Sequence, residues 1–166
     1  MPVQLGLAAV AFVSSQNQPV LVRVISPNAT SDDQLKYHYL AHTALDVIDE
    51  RMAALSKGAD GYLGFLYAME DVAVYGYLTP LKLKIILALT LTDAVIRDAD
   101  VTMIFKALHI AYYRAAANPF LKLDAPLDAA DDHAAVLAAG SPRWKVLRAR
   151  VDEVARVAST LTLSNI

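Results

Sequence analysis

The apolar residues of this chain change their spacing near residue 31, and that change constrains the fold more than any other feature. Before it, residues 5–13 and 19–26 form two short runs rich in Val, Leu and Ile, separated by polar turn formers, which is typical of a β-hairpin. After it, from residue 32 to residue 56, apolar residues recur every three or four positions, which predicts a long amphipathic helix. Its predicted buried stripe contains Tyr37, Ala41, Ala44, Leu45, Ile48, Met52 and Leu55.

Polar residues and a glycine mark the two ends of this helix. Ser31, Asp32 and Asp33 offer an N-cap and negative charge where the helix dipole favours them. Gly58 stands just beyond the predicted last turn, where glycine commonly ends a helix.

Three extended runs and two further helices follow the first helix. The runs cover residues 61–69, 72–79 and 81–91, and the helices cover about 98–117 and 142–160. In the last run we expect Lys82 and Lys84 to point to a wetter face, opposite a packed face formed by Leu81, Leu83, Ile85, Leu87 and Leu89. The helix at 98–117 has an apolar stripe made of Val101, Ile104, Phe105, Leu108, Tyr112 and Ala115.

The resulting order ββαβββαα predicts an α+β domain in which helices pack against an antiparallel sheet. A chain of 166 residues fits one such domain. Residues 122–142 contain four Asp and one Lys among many Ala, and we expect them to form a mobile insertion. On the last helix we expect one apolar side, with Leu147, Val151, Val154, Ala158 and Leu161. The opposite side, with Arg143, Lys145, Arg148, Arg150 and Arg156, is basic and suited to pair loosely with the insertion.

Composition narrows the function. The chain has 15 Lys and Arg against 17 Asp and Glu, a net charge of −2, which lacks the basic excess of a general nucleic-acid binder. With 56% hydrophobic and 19% charged residues it is more apolar than an average domain, so we expect some apolar surface to await a partner. It has no Cys, which excludes disulfides, Cys-based zinc sites and thiol catalysis and fits an intracellular location.

His38, His42 and Asp46 form the clearest polar constellation, because their spacing of four residues can place all three on one helix face. Two imidazoles and a carboxylate could hold zinc, and a metal-dependent hydrolase stays open as an alternative. However, residue 39 is Tyr where metalloproteases of the His-Glu-x-x-His type have Glu. We therefore favour a polar surface that binds a neighbouring chain, and we predict no catalytic site, no metal and no cofactor.

Several strings in the sequence resemble those of the sedlin-type subunits of the TRAPP vesicle-tethering complex. They are Leu-Lys-Tyr-His-Tyr-Leu-Ala-His-Thr-Ala-Leu-Asp-Val-Ile-Asp-Glu at 35–50, Tyr-Leu-Gly-Phe-Leu-Tyr at 62–67, Val-Tyr-Gly-Tyr-Leu-Thr at 74–79 with Lys-Leu-Lys at 82–84, and a helix that ends in Asn-Pro-Phe at 118–120. The two strand strings are most similar to the sedlin-like branch of that family. The resemblance covers about residues 8–120 and departs from the family between 122 and 166.

The resemblance implies a longin (SNARE-like) fold, with a five-stranded antiparallel sheet between one helix and a pair of helices. It also implies a non-enzymatic adaptor that binds other TRAPP subunits and lies in the cytoplasm, peripheral to Golgi, ER–Golgi or endosomal membranes. The complex activates Rab-type GTPases, and the family associates the position of Asp46 with partner contact. The alternative is a stand-alone longin module that regulates a SNARE or binds a coat adaptor.

Overall fold

The computed structural model describes residues 3–25, 28–54, 61–91, 95–117, 145–160 and 162–163. Its elements in chain order are β1 (Val3–Gln4), β2 (Leu7–Val13), β3 (Pro19–Val24), α1 (Ser31–Ala54), β4 (Tyr62–Met69), β5 (Val72–Leu78), β6 (Lys84–Thr90), α2 (Asp98–Ala116), α3 (Lys145–Ala158) and β7 (Thr162–Leu163). The predicted insertion at 122–142 and the Asn-Pro-Phe string lie outside the described residues.

Five strands form one sheet in the order β3-β2-β6-β5-β4, and every neighbouring pair is antiparallel. This confirms the α+β class and the antiparallel sheet. The predicted element order is incomplete, because β1 and β7 form a separate two-stranded sheet in which Val3 pairs with Leu163 and Gln4 with Thr162. Two-residue strands are too short for the spacing of apolar residues to reveal them.

Helices cover both faces of the large sheet, one on one face and two on the other. The α1 face buries Ala11, Val13, Leu63, Leu66, Val74 and Ile86 against Ala41, Ala44, Leu45 and Ile48 of the helix. The opposite face buries Phe12, Ile85, Leu87 and Leu89, with other residues, against Val101, Phe105 and Leu108 of α2 and Leu147 and Val151 of α3. The predicted apolar stripes of α1 and α2 are confirmed at these positions.

The central strand β6 corrects the expectation of one wet face. Six of its seven residues are buried, because helices cover the sheet on both sides at this strand. Lys84 is only 3% exposed, and its ammonium donates to Asp49 Oδ1 at 3.1 Å and to the side-chain oxygen of Asn17. Lys82 and Leu81 precede the strand and are exposed, so Leu81 does not belong to the packed face.

The start of α1 differs from the prediction by one residue. Thr30 and Asp33 bond each other reciprocally: the Asp33 N–H donates to Thr30 Oγ1 at 3.2 Å, and the Thr30 N–H donates to Asp33 Oδ2 at 3.0 Å. This arrangement has the form of a capping box, with Asp in place of the usual Glu or Gln. The hydrogen bonds from Thr30 lower the pKa of the Asp33 carboxyl. Ser31, the expected cap, is the first helical residue instead.

Helix α3 places one predicted surface residue in the interior. The basic side was expected to include Arg148, but this residue is only 9% exposed. Beside it, Asp152 accepts two hydrogen bonds from Arg23 of β3, at 2.9 and 2.8 Å. Among the described residues of α3, the basic face therefore lacks Arg148 and is narrower than predicted.

Candidate partner-binding surface

The outward side of α1 exposes two large apolar side chains in line with two polar ones. Leu35 is 70% and Tyr39 is 68% exposed, and His42 and Asp46 are exposed further along the helix. Spacings of four, three and four residues keep these side chains on one side of an α-helix. We call Leu35, Tyr39, His42 and Asp46 the α1 stripe.

His38, the third predicted site residue, lies at the flank of this surface. Each step of four residues turns a helix by about 40° beyond a full turn, so His38 and Asp46 differ by about 80° in direction. His38 is half-buried and lines a groove beside β3, and burial lowers the pKa of its imidazole. The structure thus brings His42 and Asp46 to one exposed side of α1, whereas His38 lies toward the groove beside β3.

Polar contacts along its length hold α1 against the sheet. They are the Lys36–Glu70 ion pair, the hydrogen bond from Tyr67 Oη to the Leu40 carbonyl at 2.6 Å, the Lys84–Asp49 pair, and the hydrogen bond from Arg51 Nη1 to the Leu63 carbonyl at 2.7 Å. Partial burial raises the pKa of Tyr67 to about 12. Such contacts fix the position of the α1 stripe, and a surface presented on a rigid element is better ordered before binding than one on a loop.

The α1 stripe combines an apolar half and an acidic half. Leu35 and Tyr39 lie in the first half of the helix, whereas Asp46 lies in the second half, and Glu50, outside the stripe, is exposed one turn further on. A partner pocket could take up the tyrosine as an anchor, and basic side chains of the partner could donate charged hydrogen bonds to the carboxylates. Among the residues described, no group of three or more His, Asp and Glu side chains is placed to hold a metal ion.

Sequence reasoning did not single out Leu35 and Tyr39, although a signal for them was present. Both are large apolar residues on α1 that fall outside its predicted buried stripe. An apolar residue that a helix leaves off its packed side is available to another molecule, particularly when a second one follows a turn later. The sequence therefore indicates these two residues indirectly, as large apolar residues of α1 that do not belong to its predicted buried stripe.

The arrangement of one helix and a helix pair on opposite faces of a five-stranded antiparallel sheet defines the longin class of domains. The chain belongs to the Sedlin family, whose sequence profile matches residues 12–139. That match includes all of α1 and stops before α3. In the part of the chain that the structure describes, no helix is both long enough and apolar enough to cross a lipid bilayer.

Curated relatives carry the name trafficking protein particle complex subunit 2-like protein. The chain is 36% identical to the one from Bos taurus over 115 residues, which are 67% of this chain and 80% of the relative. It is 35% identical to the one from Xenopus tropicalis over 122 residues, 71% of this chain and 85% of the relative. It is 38% identical to the one from Dictyostelium discoideum over 117 residues, 70% of this chain and 83% of the relative.

Proposed function

We propose that this chain is a non-enzymatic assembly subunit of a TRAPP vesicle-tethering complex, and that it docks to another subunit through the α1 stripe. Membership of the Sedlin family and the names of the relatives support the first part. The observation that carries the second part is the exposure of Leu35 and Tyr39 on a braced helix, in line with Asp46.

The energetics of the α1 stripe suit an interface. Complete burial of a large apolar side chain contributes about 1.5–3 kcal/mol. Because Leu35 and Tyr39 are each about two-thirds exposed, a partner that covers both would gain about 1–2 kcal/mol from each. A charged hydrogen bond to Asp46 adds about 1.5–3 kcal/mol when the partner excludes water from it. Together these contributions are a substantial share of the roughly 8 kcal/mol that micromolar binding requires.

In this proposal the subunit acts through its position. It holds neighbouring TRAPP subunits in place, and the assembled complex activates a Rab-type GTPase in ER–Golgi, intra-Golgi or endosomal traffic. The chain itself stays in the cytoplasm and reaches the membrane surface through the complex. It requires no cofactor and no nucleic acid.

Co-purification with the other TRAPP subunits tests the proposal. The full chain, Tyr39→Ala and Asp46→Lys are compared with Tyr113→Ala, which removes a 62% exposed tyrosine from α2 on the opposite side of the sheet. We expect both stripe variants to lower the capture of TRAPP subunits at least about tenfold, the effect of 1.4 kcal/mol, and the α2 variant to leave it unchanged. Equal capture by all four proteins would overturn the docking assignment. Capture of a SNARE or coat adaptor without TRAPP subunits would overturn the proposed function.

A further inference from the structure

Helix α2 exposes a row of large apolar side chains on the side that points away from the core. Met103, Ile110 and Tyr113 are each more than half exposed. Lys106 and Arg114 are exposed among them. At 3.6 residues per turn, all five lie within about 100° of the helix circumference, on the side away from the buried positions of α2. We call Met103, Lys106, Ile110, Tyr113 and Arg114 the α2 stripe.

The α2 stripe carries positive charge without acidic neighbours along its length. Residues 101–117 contain no Asp or Glu. The two acids of α2, Asp98 and Asp100, lie in its first turn, where both accept side-chain hydrogen bonds. Within the described residues, neither Lys106 nor Arg114 forms an ion pair. Both cations are therefore available to an anionic occupant.

The exposed side of α3 has a similar composition. This helix packs beside α2 over the same face of the sheet. Val146 and Val157 are each more than half exposed, and Lys145 and Arg156, next to them in the sequence, are exposed too. The exposed acid of α3, Glu153, is paired with an arginine of the same helix. The two helices thus form one face with exposed apolar side chains and excess positive charge, although the whole chain carries −2.

We propose that the α2 stripe rests on a membrane surface that contains anionic lipids. Apolar and cationic side chains together on one side of a helix are the chemistry by which a helix lies in the plane of a membrane surface. Met103, Ile110 and Tyr113 enter the region between the headgroups and the acyl chains, while Lys106 and Arg114 lie beside the anionic headgroups. The exposed side of α3 widens the contact.

The position of Lys106 favours a lipid surface over a protein. Protein interfaces concentrate apolar side chains at their centre, where lysine is depleted. Lys106, however, lies between Met103 and Ile110, within the apolar row. A second copy of the chain, paired through α2 about a twofold axis, would also bring the two Lys106 side chains close together. At a membrane the flexible lysine stem lies along the apolar side chains while its ammonium group reaches the headgroups.

The place of the α2 stripe in the fold is compatible with docking through α1. The two stripes belong to helices on opposite faces of the sheet. A chain that docks through the α1 stripe therefore leaves the α2 stripe facing away from that partner. The membrane contact is an addition to the proposed function, and the full chain without other TRAPP subunits is sufficient to test it.

A fluorescent label at a single position tests the contact. The chain has no Cys, so one introduced Cys carries an environment-sensitive dye at a chosen site. Ile110→Cys places the dye in the α2 stripe, and Leu35→Cys places it at an exposed apolar position of α1. On vesicles of phosphatidylcholine with about 30% phosphatidylserine, the dye at position 110 should shift to shorter wavelength and be quenched by brominated acyl chains. The dye at position 35 should do neither.

Matched variants separate the apolar and the charged parts of the contact, with affinity for the same vesicles measured by sedimentation. Tyr113→Ala should bind at least about fivefold more weakly, whereas Tyr39→Ala, which removes an exposed tyrosine from α1, should change the affinity less than about twofold. Each cation near an anionic surface strengthens binding about fivefold, so Lys106→Glu should bind at least about tenfold more weakly. Lys82→Glu makes the same change in charge in the exposed turn before β6, and it should lose less than about threefold. Urea unfolding shows that all four variants fold.

Other outcomes overturn the inference. Equal binding to vesicles with and without phosphatidylserine, or no response of the dye at position 110, removes the anionic membrane. Without lipid, an aqueous quencher should reach this dye freely. Shielding at every protein concentration identifies the chain's own residues as the occupant, shielding that grows with concentration a second copy, and shielding only in the assembled complex another subunit.

The two proposals can fail separately. Capture of TRAPP subunits is measured without vesicles on Tyr113→Ala and Tyr39→Ala. The first variant should lose only vesicle binding, and the second should lose only capture. Loss of vesicle binding in both variants to the same extent would contradict the assignment of the membrane contact to α2.

Discussion

Removing Asp49 should destabilise the protein more than removing Lys84, although the two residues form one ion pair. The Lys84 side chain is only 4% exposed, whereas the Asp49 side chain is 52% exposed. Asp49→Ala leaves an ammonium group buried, with Asn17 as its remaining partner among the described contacts. Lys84→Met instead leaves a carboxylate that water can reach and puts an apolar chain in the interior.

The magnitudes follow from this asymmetry. Leaving a buried charge without its counter-ion costs about 3–5 kcal/mol. The hydrogen bond to Asn17 and the partial exposure of the site reduce this, so we expect Asp49→Ala to lower the free energy of unfolding by about 2 kcal/mol. Replacing the buried charge by an apolar side chain of similar volume is often neutral, so Lys84→Met should change that free energy by less than about 1 kcal/mol.

Equilibrium unfolding in urea, followed by circular dichroism, measures both effects, and equal m-values show that the unfolded states are comparable. The double variant Asp49→Ala, Lys84→Met should be more stable than Asp49→Ala alone, because it no longer buries a charge. The reasoning fails if Lys84→Met costs more than Asp49→Ala, or if the two changes are additive in the double variant.

Three further perturbations test the packing and the electrostatics. Phe105→Ala removes a fully buried ring stacked on Tyr77 and should lower the free energy of unfolding by about 3–5 kcal/mol. Its control, Met103→Ala on the exposed side of α2, should change this free energy by less than about 0.5 kcal/mol. Urea unfolding measures both effects. Thr30→Ala should cost about 1 kcal/mol in the same assay through loss of the helix cap. Tyr67 favours folding at pH values below about 10, and this contribution should be lost as the pH rises toward the folded-state pKa of about 12. Between pH 9 and pH 11, the free energy of unfolding measured in urea should fall less for Tyr67→Phe than for the unchanged chain. An equal fall in the two proteins would contradict the raised pKa of Tyr67 in the folded state.

The helices and strands could be predicted where apolar residues keep one regular spacing over many residues. In α1 and α2 the apolar stripes span several turns, and the buried residues Ala44, Ile48, Phe105 and Leu108 match them. Lys84 shows the limit of such reasoning. A lysine in an alternating strand indicates a solvated face, and only the central place of β6 in the sheet, a tertiary property, buries it.

The candidate surface could be predicted only in part, because residue spacing shows which side chains share a helix face but not where that face lies relative to the sheet. The spacing of polar residues predicts that His42 and Asp46 share one helix face, and both are exposed in the structure. His38 has the same spacing but turns toward β3, because the helix advances around its axis with every step. The α3 side of the groove could not be predicted, since the Arg23–Asp152 pair joins residues 129 positions apart in the sequence.

Site-specific photo-crosslinking in the assembled complex tests the central claim most directly. A photoreactive phenylalanine analogue replaces Tyr39 of the α1 stripe in one protein and Tyr113 of α2 in another, both exposed to a similar degree. Mass spectrometry should identify a covalent adduct with another TRAPP subunit from position 39 and none from position 113. Adducts from position 113 alone, or from neither position in a complex that contains the chain, would contradict docking through α1.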